Sequence, residues 1–424
     1  MPETSFDEVL LGSVATVNAT TVSPGKLFEW INYTDISSVG PHLVEAPTKL
    51  SISQAPGRAR RLLKKGDIAI STVRPNRRSF FMFNGEWENA ICSTGFAVVS
   101  ANNPSDANYL YAYLTSKEAT RHYESICEGG AYPAFNGAEL LEMPVPWPPE
   151  ETREAIGNLS RLLREKVNLN LELVSNLSAA AYVLFKSWFV DFAPVNSRVL
   201  ADESTVLNAV TMSLFPGAFE MVDDSEIPAG WRLGSLSELA TLQFGVPFKS
   251  KLFNSEGDGY PLIRIRDLKS SGSKTFTAEV SKKAFFVETG DLLIGMDGTF
   301  DAISWAGPKS LLNQRLVKIC PLDNVSPLFL KFAISKELKI LEANATGTTV
   351  GHLSKGDIED LKVPIPNKEV LDAFSETVAP IYDQISNLHK QNNQLERVRE
   401  LLISRLISGV LELTNSPQEV TDEA

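Results

Sequence analysis

Eight basic residues crowd into positions 58–78: Arg58, Arg60, Arg61, Lys64, Lys65, Arg74, Arg77 and Arg78, opposed there by Asp67 alone. Phe80, Phe81 and Phe83 follow directly. A guanidinium presents forked N–H donors that fit phosphate oxygens or the guanine edge, so a cluster this dense beside a sheet suits a nucleic-acid groove. The competing reading is a solvated surface whose aliphatic stems pack down. A second set is sparser: Lys249, Lys251, Arg264, Arg266, Lys269 and Lys274, then Lys282 and Lys283, diluted by Glu256 and Asp267. Glycine-rich loops at 129–137 and 347–351 would let backbone approach a phosphate, or simply make tight turns.

Catalytic patterns are missing by comparison. There is no GxxxxGK[ST] loop for nucleotide phosphates. Asn103-Pro104-Ser105-Asp106 falls short of an Asn-Pro-Pro-aromatic methyltransferase signature, and no FxGxG-like cofactor loop accompanies it. Asp360-Leu361-Lys362 resembles the tail of a nuclease Asp/Glu-x-Lys pattern but lacks an upstream Pro-Asp. His42, His122, His352 and His389 have neither metal-site nor triad spacing. Cys92, Cys127 and Cys320 are far apart and odd in number, which excludes a disulfide framework or a CxxC knuckle and suits reduced thiols in a cytoplasmic protein. The expectation is a non-enzymatic chain with no metal site and no cofactor of its own.

The net charge of −12 over 424 residues stands against nucleic acid until it is dissected. Residues 201–230 hold six acids and 409–424 hold four, with no Lys or Arg in either stretch, so the remainder carries only −2. Duplex binding needs a local basic surface, not a basic total. The length predicts two domains, and no apolar run is long enough to span a bilayer.

The elements that must position these residues occur twice. LLKKGDIAISTVRP (62–75) answers to FVETGDLLIGMDGT (286–299), EGGAYPAFNGAELLEMPVPWPPEE (128–151) to ATGTTVGHLSKGDIEDLKVPIPNKE (345–369), and LGSVATV (11–17) to LGSLSEL (233–239). Gly66 and Gly290, Pro144 and Pro364, and Gly12 and Gly234 are offset by 224, 220 and 222 residues, a register that chance would not hold. Each half mixes short β-branched and aromatic runs with Gly/Pro punctuation, predicting an α+β domain on a mostly antiparallel sheet.

A helix follows each Pro-x-Pro exit. Ile156, Leu159, Leu163, Lys166, Asn170, Leu173, Leu177, Ala180 and Leu184 step by three and four, as do Val378, Ile381, Ile385, Leu388, Asn392, Leu395, Arg399, Leu402 and Leu406. This is coiled-coil spacing, and the first stretch would span roughly 57 Å if helical throughout. Pro380 is expected in the first turn of the second helix or at a kink. Asn170 and Asn392 occupy the same heptad position, 222 residues apart. In an antiparallel pair they would meet and fix register; the alternative is two surface asparagines in an imperfect heptad.

In layout and motif order the chain resembles the specificity subunits of type I restriction–modification enzymes over essentially its whole length. The resemblance rests on the duplication, GDIAISTVRPN (66–76), Thr-Gly-Thr (346–348), the paired Pro-x-Pro exits and the linker LFPGAFEMVDDSEIPAGWRLGSL (214–236). The first repeat departs from it in lacking the Ile-Pro-x-Gly-Trp lead (227–231) of the second. The resemblance implies an α+β chain: target-recognition domains at 1–149 and 231–366, helical spacers at 150–192 and 367–413, an acidic linker at 193–230 and an acidic tail at 414–424. The spacers would form antiparallel coiled-coil helices with pseudo-two-fold symmetry, with Leu163, Asn170, Leu173, Leu177, Ile385, Asn392, Leu395 and Leu402 as spacer and subunit contacts. Each domain would read one half of a split, asymmetric double-stranded DNA site, with half-sites about 34 Å apart. Two methyltransferase subunits would dock on the helices, joined by restriction/translocase subunits, and those partners would carry S-adenosylmethionine, ATP and Mg. The rival readings are an acidic DNA mimic or protein scaffold, and a nuclease or methyltransferase with an unrecognised active site.

Overall fold

The computed structural model describes residues 6–23, 28–42, 44–128, 132–200, 207–222, 225–279, 281–345 and 351–411. Thr-Gly-Thr 346–348, most of the glycine-rich loop 347–351, part of the loop 129–137, Asp202, Glu203, Asp223 and Asp224 of the linker and the tail 414–424 lie outside these residues. The chain divides into two compact units: Met1–Asn168 with Leu395–Ala424, and Leu169–Gln394.

In the first unit, a four-stranded antiparallel sheet runs in the order Ala15–Val17, Phe96–Ala101, Ile68–Ser71 and Phe80–Met82. A second sheet runs Thr48–Ser51, Trp30–Thr34, Ala90–Ser93 and Ala59–Leu62, with its central pair parallel. Pro144–Pro146 closes the domain by pairing with Glu8–Leu10. A proline that cannot donate to a ladder is tolerated in so short a two-stranded pairing.

The second unit repeats this plan. Ala240–Phe244, Leu316–Pro321, Leu292–Gly295 and Ala302–Ser304 form the four-stranded antiparallel sheet. Tyr260–Ile263 pairs parallel with Ser310–Leu312 in the other sheet, and Lys362–Ile365 closes on Arg232–Ser235. The expected mostly antiparallel α+β architecture is present in both copies, each with one parallel pair.

The repeated Gly-Asp dipeptide makes the same turn in each copy. Gly66 and Gly290 adopt φ of +91° and +104°, a left-handed region that favours glycine. Asp67 and Asp291 each accept from the backbone N–H three residues earlier, at Lys64 and Glu288, with both distances 2.7 Å. Burial pushes the Asp67 carboxyl above its ordinary range, although Ser100 and the Lys64 N–H oppose the shift.

Glu150–Phe189 and Lys368–Ile407 are unbroken helices of 40 residues each. Both contribute to both units. In the first unit Ile156 packs with Ile403, Leu406 and Ile407 around Leu11, Ile68 and Tyr109, while Leu159 and Leu402 lie at the margin of that core. In the second, Ala181, Phe185, Trp188 and Phe189 meet Val370, Phe374 and Val378, with Phe185 and Phe374 rings 6.3 Å apart. Asn170 meets Asn392 there, so this helix pair runs antiparallel.

The predicted stripe needs adjustment at four points. Lys166 and Ala180 are exposed, and Leu173 is 40% exposed. The core face moves to Ala181, Phe185 and Trp188 toward the end of the first helix, where large aromatics replace the aliphatic heptad. Pro380 lies inside the second helix, neither in its first turn nor at an end, and forgoes the N–H that would reach the Glu376 carbonyl. The stretch 193–230 is structured in its described part: helices Ala193–Leu200 and Ala209–Ser213 and a hairpin of Phe219–Val222 with Ser225–Pro228, with Val195 and Phe215 buried in the second core.

Candidate nucleic-acid interface

In the first unit three loops meet at one end of the four-stranded sheet. The Thr72 N–H donates to the Gly95 carbonyl (2.9 Å), the Phe135 N–H to the Thr72 carbonyl (3.1 Å), and the Thr94 N–H to the Arg58 carbonyl (2.8 Å). The strand Ile68–Ser71 then exits into a 3-10 turn at Pro75–Arg77, bracketed by Arg74 and Arg78 at φ of +50° and +54°. Proline fixes the first position of that turn, and the two left-handed residues reverse the chain on either side. Non-glycine residues persist in this region only where the surroundings hold them, and such strain gathers at functional loops. Arg74 is held by its N–H to the Pro133 carbonyl (2.8 Å), and its guanidinium stacks 4.1 Å from the centroid of the exposed Tyr132 ring. Stacking leaves the guanidinium edge available for a planar, forked contact. Among the described residues neither Arg74 nor Arg77 forms an ion pair, and Arg77 is exposed.

Arg78 does not join them. Its guanidinium turns inward, ion-paired to Glu400 at 2.6 Å and donating to the Thr115 carbonyl at 2.8 Å, with only 14% of its side chain exposed. Lys117 takes the other carboxylate oxygen of Glu400 at 2.7 Å. Burial would raise the pKa of Glu400, but its hydrogen bonds to Arg78 and Lys117 outweigh that and hold the carboxyl below its ordinary range.

The remaining predicted residues of this unit are divided. Arg58 lies beside the loop cluster, hydrogen-bonded to the Tyr33 hydroxyl (3.1 Å) and ion-paired to Asp35 (2.8 Å). Burial would raise the Asp35 pKa, yet Tyr33, Ser37 and Arg58 together lower it, so Asp35 stays charged as their anchor. Arg60 reaches Ser23 and the Gly57 carbonyl, and Arg61 reaches Thr21 at 2.5 Å, along the strand Ala59–Leu62. Lys64 and Lys65 are exposed at the Gly66 turn, at the opposite end of the strand Ile68–Ser71 from Arg74.

The second unit has the same framework with different side chains. The Met296 N–H donates to the Arg315 carbonyl (2.9 Å), the Leu353 N–H to the Met296 carbonyl (2.8 Å), and the Gly298 N–H to the Gly351 carbonyl (3.2 Å). Asp297 thus occupies the place of Val73, Gly298 that of Arg74, Arg315 that of Gly95 and His352 that of Ala134. His352 Nδ1 lies 2.7 Å from Asp297 Oδ1, and Arg315 lies 3.1 Å from His352 Nε2 and 3.7 Å from Asp297 Oδ2. All three side chains are a third or more exposed.

Of the residues predicted in this unit, Arg264 is drawn into a turn cap with Asp267 (3.0 Å), and Arg266 is exposed on the same 3-10 turn. Ile263, just before Arg264, accepts from Asn313, which brings that turn near Arg315. The Lys249 backbone N–H donates to Glu279 (2.8 Å). The Lys249, Lys251 and Lys274 side chains are exposed. Asp297, Arg315, His352 and Tyr132 were missed by sequence reasoning. One signal could have found Asp297: it stands seven residues past Gly290, as Val73 stands seven past Gly66.

The spacer pair is resolved. Asn170 Nδ2 donates to Asn392 Oδ1 and to Gln391 Oε1, both at 2.7 Å, with Asn170 1% and Asn392 7% exposed. The two asparagines are seam residues. Leu163, Leu177, Leu395 and Leu402 are partly buried and Ile385 is buried. Among the described residues, no single helix is long and apolar enough to cross a membrane, and no three His, Cys, Asp or Glu side chains gather as a metal site.

A duplicated α+β framework thus carries different polar side chains at matching rim positions. Residues 228–397 match the family described as the type I restriction modification DNA specificity domain. The chain is 28% identical over 417 residues to the type I restriction enzyme HindI specificity subunit of Haemophilus influenzae, covering 85% of this chain and 89% of that one. It is 23% identical to the MjaIX specificity subunit of Methanocaldococcus jannaschii over 75% of this chain and 72% of that one. To the EcoBI specificity subunit of Escherichia coli it is 31% identical over 43% of this chain and 39% of that one. The chain is thus similar to type I restriction enzyme specificity subunits over most of its length.

Proposed function

We propose that this chain is a specificity subunit that reads a bipartite, asymmetric DNA sequence, one half with each unit, without doing chemistry on it. The observation that carries the proposal is the matched pair of loop clusters. Identical backbone hydrogen bonds place Arg74 and Tyr132 at the rim of one sheet, and Asp297, Arg315 and His352 at the same rim of the other. Arginine suits phosphate or guanine, whereas a carboxylate accepts from cytosine N4 and an imidazole offers one donor or acceptor edge. Two such rims favour different bases, as an asymmetric target requires. Arg58, Arg60 and Arg61 supply phosphate contacts that position the duplex without reading it.

The long helices dock two methyltransferase subunits, with restriction/translocase subunits joining them in the cytoplasm. S-adenosylmethionine, ATP and Mg act in those partners, and this chain holds no cofactor. The test is a genome-wide map of methylated adenines in cells with and without this gene. A split motif that disappears on deletion supports the assignment; an unchanged map refutes it.

A further inference from the structure

The first unit holds a cavity of about 360 Å³ that shares Arg78 with the rim turn and lies between the N-terminus of the helix Lys117–Ser125 and the last turns of Lys368–Ile407. That volume falls at the lower end of small-ligand sites. Five cations line it, Arg78, Lys117, Arg397, Arg399 and Arg405, against two carboxylates, Glu118 and Glu400. Glu400 is already spent, one oxygen on Arg78 and the other on Lys117. Glu118 accepts from the Ser404 hydroxyl at 2.9 Å.

Arg399 is the anomaly. It is only 9% exposed, yet among the described residues its guanidinium has no hydrogen bond and no ion pair. Arg78 Nε is likewise buried without a partner. A buried cation with unsatisfied donors is costly unless an anion meets it. Burial lowers the Arg399 pKa, only partly countered by Tyr111 and Glu396, but a guanidinium stays charged at neutral pH. Arg397 and Arg405 are exposed and also unpaired among the described residues.

We infer that this cavity is a phosphate-binding site, with Arg399 at its floor and Arg397 and Arg405 at its mouth. A net excess of three positive charges and three unengaged guanidinium forks suit a tetrahedral, multiply charged oxyanion better than a single carboxylate. The phosphate is either free, as inorganic phosphate or pyrophosphate, or part of a duplex backbone. The inference does not depend on how the rim loops read bases.

The experiment uses the full chain in phosphate-free buffer, with thermal unfolding and calorimetric titration against pyrophosphate. Pyrophosphate should raise Tm, and Arg399→Gln should abolish that rise and weaken binding about tenfold. Without ligand, Arg399→Gln should itself raise Tm slightly, because it removes a desolvated charge that Glu396 and Glu400 only partly offset. Arg397→Gln with Arg405→Gln, both at exposed positions, should weaken binding in the same direction and guards against a misfolded first variant. The second arm is a random 30-base-pair duplex titrated against salt. If the phosphate belongs to DNA, Arg399→Gln lowers the salt slope by about one while pyrophosphate has little effect. Indifference of both arms to both variants overturns the site. Malonate protecting as well as pyrophosphate also overturns it, because the occupant would then be an acidic protein segment.

Discussion

The two units share a backbone and differ where that backbone meets solvent. Both have the same order in the four-stranded sheet, the same Gly-Asp turn and the same capped turn after the glycine-rich loop, with Asn136 and Glu139 in one and Ser354 and Asp357 in the other. The second unit's other sheet gains an edge strand, Phe253–Asn254. At the rim the likeness stops. The first presents a strained Arg74 stacked on Tyr132, the second an acid–imidazole–guanidinium cluster on an unstrained Gly298 turn. Ladder hydrogen bonds fix where a loop starts and ends and are indifferent to the side chains carried between, so one framework can hold two readouts.

The largest effect expected is at the first rim. Arg74→Ala with Arg77→Ala should reduce modification of target sites roughly a hundredfold, from two lost contacts of about 1–3 kcal/mol each, and leave Tm unchanged. Arg78→Ala should behave differently and lower Tm, by about 2–3 kcal/mol of stability, because it strips Glu400 of its better-buried partner. Glu400 has a depressed pKa in the fold, so its contribution is complete above the ordinary glutamate value of 4.5 and is lost as pH falls through the lower folded value. Wild-type stability measured by urea titration should therefore fall as the pH drops below about 4.5, and Arg78→Ala should be less stable at neutral pH and show a flatter dependence.

The Gly-Asp turns allow a finer contrast. An added Cβ at Gly66 meets nothing within 4 Å, so Gly66→Ala should cost only backbone strain, about 1 kcal/mol. At Gly290 the same atom falls 2.8 Å from Ser386 Oγ and 2.9 Å from Tyr382 Oη, so Gly290→Ala should cost about 1 kcal/mol more by urea titration. Equal costs would mean that the second turn has more freedom than its packing indicates. The smallest effect is at the seam. Asn170→Leu with Asn392→Leu should raise Tm by about 2–4 °C while permitting helix registers that cysteine cross-linking would detect. A fall in Tm with register unchanged would make the pair a stabilising contact only.

What the sequence revealed follows the range of the interactions involved. The Gly-Asp turns, the Pro-x-Pro exits and the long helices are local and were legible from spacing. The Asn170–Asn392 pair was legible because heptad position converts separation along the chain into proximity across a seam. The parallel pairing of Trp30–Thr34 with Ala90–Ser93 had no local signature, because about 60 residues separate the strands. Density of charge also misled at Arg78: adjacency to Arg77 says nothing of a side chain whose partner lies 322 residues away. Asp297, Arg315 and His352 come from three separate loops, and none is part of a basic run.

Under the proposed function the two rims read independently. That independence is tested most directly by mapping methylated adenines in cells carrying Asp297→Ala with His352→Ala, and separately Arg74→Ala with Arg77→Ala. Each pair should relax or abolish recognition in one half of the split motif, a different half for each, with the other half and the spacing preserved in whatever modification remains. If either pair alters both halves or the spacing between them, the units do not read separately and the account fails.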